Sequence, residues 1–126
     1  MNIPDFKDKK ILVVEDDPVS MELLSELLTQ TNATVIYADN GKSAVELFAE
    51  NNDTALILMD IQLPLLSGTD AMKQIKEINP DVKVIAQTAF AMSSDRKKYL
   101  TSGFDDYLSK PVLPDNLYNL LSNYLT

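Results

Sequence analysis

The sequence predicts a doubly wound α/β domain: one five-stranded parallel sheet of order 2-1-3-4-5 with helices on both faces. Three observations point there. Short apolar runs alternate with stretches of helical spacing along the whole chain. The first and third runs are apolar without interruption, as strands buried on both faces of a parallel sheet are. The connections are short, with no low-complexity linker and no repeat beyond the strand–helix unit itself. Crossovers between parallel strands are right-handed, which puts helices on both sides of the sheet.

The first strand is Ile11-Leu12-Val13-Val14. Asp17 followed by Pro18 reads as an N-cap with proline at the first helical position, and Met21, Leu24 and Leu28 then share one helix face. Thr34-Val35-Ile36-Tyr37-Ala38 is the second strand, followed by a helix with a stripe of Ala44, Val45 and Phe48. Ala55-Leu56-Ile57-Leu58-Met59 is the third strand, and Met72, Ile75 and Ile78 mark a helix that stops at Asn79-Pro80. Val82-Lys83-Val84-Ile85-Ala86 is the fourth strand; Tyr99 and Leu100 mark a short helix ending at Ser102-Gly103. Tyr107-Leu108 is the fifth strand, and the last helix carries Leu113, Leu117, Leu120, Leu121 and Tyr124.

With 126 residues and a mass of 14.0 kDa, the chain suits one domain over residues 1–126, residues 1–9 forming an N-terminal extension and 10–125 the βα core. Cysteine and histidine are both absent, which excludes disulfides, thiolate and imidazole metal ligands, cysteine nucleophiles and histidine-based triads. The 11 basic residues against 19 acidic ones leave a net charge of −8, and an acidic domain repels phosphate backbones, so no direct nucleic-acid binding is expected. Met1 to Lys10 has no apolar leader region and no run approaches a membrane span, so the expected location is cytoplasmic, without membrane insertion.

In a sheet of this order, ligands sit beyond the carboxyl ends of the strands, near the point where strand order reverses. Glu15, Asp16 and Asp17 follow the first strand, Asp60 the third, Thr88 the fourth and Lys110 the fifth. Carboxylates brought this close in a partly buried site repel, and something must offset them. Lys110 can neutralise one charge and a divalent cation the others; with only oxygen ligands present, a hard ion such as Mg²⁺ fits better than zinc. A carboxylate beside Mg²⁺ and a lysine is placed to attack a phosphoryl group and form an aspartyl phosphate.

Taken singly, each feature has a plainer reading. The Glu15-Asp16-Asp17 run is what a helix N-terminus favours. Asp60 is a strand-end turn former, Thr88 a β-branched strand residue, and Lys110 a solvated lysine before a proline. The functional reading rests on their coincidence at one end of four strands.

These segments resemble the receiver domain of two-component response regulators, a flavodoxin-like (βα)5 domain typified by the bacterial chemotaxis regulator. The matching stretches are Ile11-Leu12-Val13-Val14-Glu15-Asp16-Asp17, Leu58-Met59-Asp60-Ile61-Gln62-Leu63-Pro64 with Gly68, Ile85-Ala86-Gln87-Thr88-Ala89, and Gly103-Phe104-Asp105-Asp106-Tyr107-Leu108-Ser109-Lys110-Pro111. The spacings fit as well: 44 residues from Asp16 to Asp60, 28 from Asp60 to Thr88 and 22 from Thr88 to Lys110.

The resemblance implies that Asp60 is the phosphoacceptor. It makes Asp16 and Asp60 Mg²⁺ ligands with the backbone carbonyl of Gln62, and gives Glu15 a role through water. Thr88 and Lys110 would contact phosphoryl oxygens, with a cis bond before Pro111 and Tyr107 as the switch aromatic whose rotamer follows Thr88. It further implies that bulky Phe90, which cannot orient a hydrolytic water, gives a long-lived aspartyl phosphate. The implied partner is a histidine kinase or a histidine phosphotransfer domain docking near Ser20, Leu23 and Leu24 of the first helix. A downstream protein would meet the face of helix four, strand five and helix five, with Leu113, Tyr118 and Arg96-Lys97-Lys98 as its candidate contacts. The chain would be no enzyme beyond its own phosphorylation and dephosphorylation. It could stand alone or belong to a hybrid histidine kinase, a type that Met59-Asp60-Ile61-Gln62 resembles.

A rival from another class is a Mg²⁺-dependent phosphohydrolase with an aspartate nucleophile. Such enzymes carry a second aspartate two residues after the first, where this chain has Gln62. A flavin or nucleotide binder of the same fold needs a glycine-rich phosphate loop after the first strand, and Gly41, Gly68 and Gly103 do not make one.

Overall fold

The computed structural model describes residues 2–89 and 93–126, and for 93–95 the backbone alone. Five strands, β1 (Lys10–Val14), β2 (Thr34–Ala38), β3 (Leu56–Asp60), β4 (Lys83–Thr88) and β5 (Asp106–Ser109), alternate with five helices, α1 (Pro18–Thr29), α2 (Gly41–Glu50), α3 (Gly68–Ile78), α4 (Ser93–Ser102) and α5 (Pro114–Leu125). All strand pairs are parallel and the order is β2-β1-β3-β4-β5, as predicted. No helix among the described residues is long and apolar enough to cross a membrane.

Helix starts are written in the sequence. Asp17 accepts a hydrogen bond from the Val19 N–H with Pro18 at the first position; Asn40 caps α2 by accepting from the Ser43 N–H, and Ser67 caps α3 by accepting from the Asp70 N–H. Each such cap satisfies an otherwise orphaned donor and stabilises its helix by about 1 kcal/mol. α5 begins on Pro114 with no side-chain cap.

The sheet divides the core in two. On one face Ile11, Val13, Leu58 and Ile85 pack against Leu24 and Leu28 of α1 and Leu117 and Leu121 of α5. On the other, Leu12, Val14, Ile57 and Met59 meet Phe48 of α2, Met72 and Ile75 of α3 and Tyr99 of α4. β1 and β3 are buried almost throughout because both faces are covered. Each fully buried aliphatic or aromatic side chain contributes about 2–3 kcal/mol.

Three expected positions differ. Leu113, placed in the last helix, precedes it as the N-cap residue of α5 and is exposed. Ile78 is 44% exposed: it is the last residue of α3, one turn beyond the buried Met72 and Ile75. Tyr118, expected on an exposed face of α5, is 4% exposed and lies in the core; its phenol donates to the Leu27 carbonyl of α1 at 2.8 Å. A buried tyrosine needs a partner for its hydroxyl, and the neighbouring helix supplies it.

Candidate functional site

The carboxyl end of the sheet forms a cleft of about 230 Å³. Glu15, Asp16, Asp60, Thr88, Tyr99 and Lys110 line it, with Asp17, Ile61, Gln62 and Ala89 around the rim. A larger hollow of about 500 Å³ lies against the edge strand β2, lined by Met21, Tyr37, Asp39, Ser43, Glu46 and Glu50 among others. Its carboxylates face no lysine or arginine in that lining, so size alone does not make it the functional site.

The chain leaves β1 through Glu15, whose N–H donates to the Ala38 carbonyl and extends the pairing with β2. That extra rung turns the Glu15 side chain inward, where it is 1% exposed. Asp16 is exposed and lines the cleft. Asp17 is taken by the helix: its carboxylate accepts from Val19 N and from the Ser20 hydroxyl, and the Ser20 bond chiefly holds its pKa below the usual carboxylate value. The plain reading therefore holds for Asp17, and the acidic group that can surround one ion is Glu15, Asp16 and Asp60. A carboxylate oxygen from each lies within 4.8 Å of the others.

Asp60 is the last residue of β3, 7% exposed, with its Oδ1 accepting from the Gln62 N–H at 3.3 Å. Lys110 arrives from the far side of the sheet. Its N–H donates to the Thr88 carbonyl, the peptide bond to Pro111 is cis, and its Nζ lies 3.1 Å from Asp60 Oδ2 and 2.9 Å from Glu15 Oε2. Burial pushes the Glu15 pKa upward, aided by the Asp60 charge and opposed by the Lys110 ammonium. For Lys110, burial favours the neutral form. The hydrogen bond and charge of Glu15, together with Asp60, outweigh it and hold the pKa above the ordinary lysine value. The site thus carries a firmly cationic lysine between two buried carboxylates.

Thr88 ends β4, 4% exposed, with its hydroxyl 3.2 Å from the Tyr99 phenol. Tyr107 does not line the cleft. It is half-buried in β5, with the Arg96 guanidinium 5.5 Å over its ring. Gln87, the β4 partner of Asp60, is fully buried, and neither atom of its side-chain amide is hydrogen-bonded among the described residues. Phe90 lies outside the described residues. The structure therefore gathers Glu15, Asp16, Asp60, Gln62, Thr88 and Lys110 at one cleft and leaves Tyr107 beside it. Tyr99 is the cleft residue that sequence reasoning used only as a helix marker. Its contact with Thr88 depends on how α4 packs on the sheet, which no local pattern encodes.

Residues 11–122 match the family model of the response regulator receiver domain. The chain is 38% identical over 125 residues to hybrid signal transduction histidine kinase I of Dictyostelium discoideum, covering 93% of this chain but only 7% of that protein. Among solved structures it is similar to the receiver domain of the sensor histidine kinase PA1611 from Pseudomonas aeruginosa, which has a magnesium ion coordinated in its active-site cleft: 34% identity, TM-score 0.83, covering 93% of this chain and 97% of that one. A third match is a chain from the Saccharomyces cerevisiae complex of the histidine phosphotransfer protein Ypd1 with the receiver domain of Ssk1, at 31% identity and TM-score 0.88, covering 99% of this chain and 92% of that one. With the predicted topology and the cleft both in place, the family match over nearly the whole chain establishes that it belongs to the response regulator receiver domains of two-component signal transduction.

Proposed function

We propose that the domain accepts a phosphoryl group on Asp60 from a phosphohistidine of a histidine kinase or histidine phosphotransfer domain, and that this changes its α4-β5-α5 face. The observation that carries the reading is the Lys110 ammonium held by both Asp60 and Glu15, with Asp16 completing an oxygen-only cluster.

The residues fit Mg²⁺. Three carboxylates share one small volume, and a single lysine leaves excess negative charge there. Asp16, Asp60 and the Gln62 backbone carbonyl would hold the ion, with Glu15 acting through water. When bound, it supplies charge neutralisation for phosphoryl oxygens. The magnesium seen in the similar PA1611 receiver supports this choice of ion.

In the transfer, an Asp60 carboxylate oxygen attacks phosphorus. The new O–P bond forms as the P–N bond of phosphohistidine breaks, and the bonding pair stays on the departing imidazole. The chain has no histidine, so the donor residue belongs to a partner or to another domain. Lys110 passes from the Asp60 carboxylate to a phosphoryl oxygen, and the Thr88 hydroxyl donates to another. The state change extends only as far as these contacts differ in energy between the two forms. Arg96, Tyr107 and the 56% exposed Leu113 lie where it would be read.

The donor has a landing place. An apolar groove of about 170 Å³, lined by Val19, Ser20, Leu23, Leu24, Pro111 and Val112, runs up to Lys110 at the mouth of the cleft. Val19 is 74% and Leu23 37% exposed, while Leu24 forms the floor and belongs to the core. Such a surface suits a partner that must bring an imidazole to Asp60, and the Ypd1–Ssk1 complex supports a histidine phosphotransfer domain in that role.

Incubation with acetyl phosphate and Mg²⁺ followed by intact-mass measurement tests the reading. The wild type gains one phosphoryl group, only with Mg²⁺, and Asp60→Asn gains none. A wild type that gains nothing, or an Asp60→Asn variant that gains as much, contradicts it.

A further inference from the structure

Tyr99 has no part in the mechanism above, yet its phenol reaches into the same cleft as Asp60 and Lys110. We infer that Tyr99 is a positioning residue of the phosphoryl pocket: its hydroxyl orients the Thr88 hydroxyl and ties the pocket to α4. The inference rests on Asp60 being the phosphoacceptor.

The two hydroxyls are 3.2 Å apart, with Tyr99 7% and Thr88 4% exposed, so bulk water competes little for this bond. The Tyr99 ring is fixed. It meets Phe104 edge-on, at 6.4 Å between centroids and 88° between planes, and Phe104 is itself buried. The Phe104 N–H also donates to the Tyr99 carbonyl. A ring held in this way keeps its oxygen within hydrogen-bond reach of Thr88 Oγ1.

The chemistry sets a direction. A hydroxyl donates one hydrogen bond and accepts others. A phosphoryl oxygen on Asp60 is an anionic acceptor of the strongest kind, and a threonine proton turned to it leaves Thr88 Oγ1 as the acceptor for the Tyr99 phenol 3.2 Å away. The chain Tyr99 to Thr88 to phosphoryl oxygen is then polarised in one sense, each bond strengthening the next. Because Tyr99 sits on α4, a Thr88 hydroxyl drawn toward the phosphoryl group takes the phenol, and the helix carrying it, along.

A double-mutant cycle tests this. Wild type, Tyr99→Phe, Thr88→Val and the double variant are phosphorylated with acetyl phosphate and Mg²⁺, and rates are followed by intact mass. Phenylalanine keeps the ring and its packing. The expectation is that Tyr99→Phe slows phosphorylation by roughly 5- to 10-fold when Thr88 is present and changes the rate less than about twofold in the Thr88→Val background, since coupled groups are non-additive. An equal slowing in both backgrounds, or none in either, overturns the inference. A second readout is the set of amide resonances of Leu100, Thr101 and Ser102: phosphorylation shifts them in the wild type and leaves them near their resting positions in Tyr99→Phe. Shifts of equal size in both proteins count against the link to α4. A wild type that takes up no phosphoryl group at all indicts the reading of Asp60 instead, so the two failures are distinguishable.

Discussion

Gly68 backs directly onto the carbonyl oxygen of Asp60: a methyl group on its α-carbon would stand 2.0 Å from that oxygen and 2.9 Å from the carbonyl carbon. The Gly68 N–H meanwhile donates to the Ile61 carbonyl at 2.9 Å, so the start of α3 is fastened to the loop that leaves Asp60. The glycine is there for close approach, and the neighbour it approaches is rigid backbone. Gly68→Ala is therefore expected to lower stability by about 2–3 kcal/mol in urea unfolding. It should also slow Asp60 phosphorylation, because the strand end carrying the carboxylate must move. A variant as stable and as fast as wild type removes this account of how Asp60 is held.

Asp105 ties three elements together. Its Oδ2 accepts from Lys76 of α3 at 2.7 Å and from the Val84 N–H of β4 at 2.8 Å, while Lys76 also donates to the Val82 carbonyl. Removing the carboxylate leaves a partly buried ammonium and a strand N–H without that acceptor. Asp105→Ala is expected to destabilise the fold by about 2–3 kcal/mol while leaving the phosphorylation rate near wild type, since Asp105 does not line the cleft. Chemical unfolding and acetyl phosphate kinetics measured on one preparation separate the two effects.

Gln87 runs the other way. Its side-chain amide is fully buried in the strand position paired with Asp60 and makes no hydrogen bond among the described residues. Burying such a group unsatisfied costs about 1–3 kcal/mol. Gln87→Met, of similar length and volume, is expected to raise stability by about that amount. A loss of stability in urea unfolding would mean that the amide has a partner in solution.

Alkaline stability follows from Tyr124. Burial, then its hydrogen bond to Asp106, pushes the phenol from an ordinary 10.0 up to about 12. The folded form thus keeps a proton that the unfolded chain releases. The contribution is fully present below pH 10 and is lost as pH climbs from 10 toward 12, by about 1–2 kcal/mol. Tyr124→Phe should flatten that part of the pH–stability curve, and an unchanged slope argues against the shift.

Much of the architecture is legible locally. The unbroken apolar runs Ile11 to Val14 and Leu56 to Met59 mark central strands because both of their faces are covered, and Asp17-Pro18 and Asn79-Pro80 mark helix ends through backbone chemistry alone. The acidic cluster and Lys110 are legible because strand order brings strand ends to one rim. The contacts that depend on crossing geometry are not. Tyr118 reads as a surface residue until α1 is seen to offer the Leu27 carbonyl, and Tyr99 reads as a helix marker until α4 lays its phenol on Thr88. The Lys76–Asp105 pair joins residues 29 apart with no periodicity to announce it. Asp17, adjacent to the cluster in sequence, is withdrawn from it by the demand of its helix for a cap.

The most direct test of the central claim is chemical trapping of the modified side chain. After treatment with acetyl phosphate and Mg²⁺, borohydride reduces an aspartyl phosphate to homoserine, and peptide mass spectrometry locates the converted residue. Homoserine at position 60, and at no other aspartate or glutamate, is the predicted result. Homoserine at Asp16 or elsewhere, or phosphate recovered on a hydroxyl side chain with residue 60 still aspartate, would contradict it.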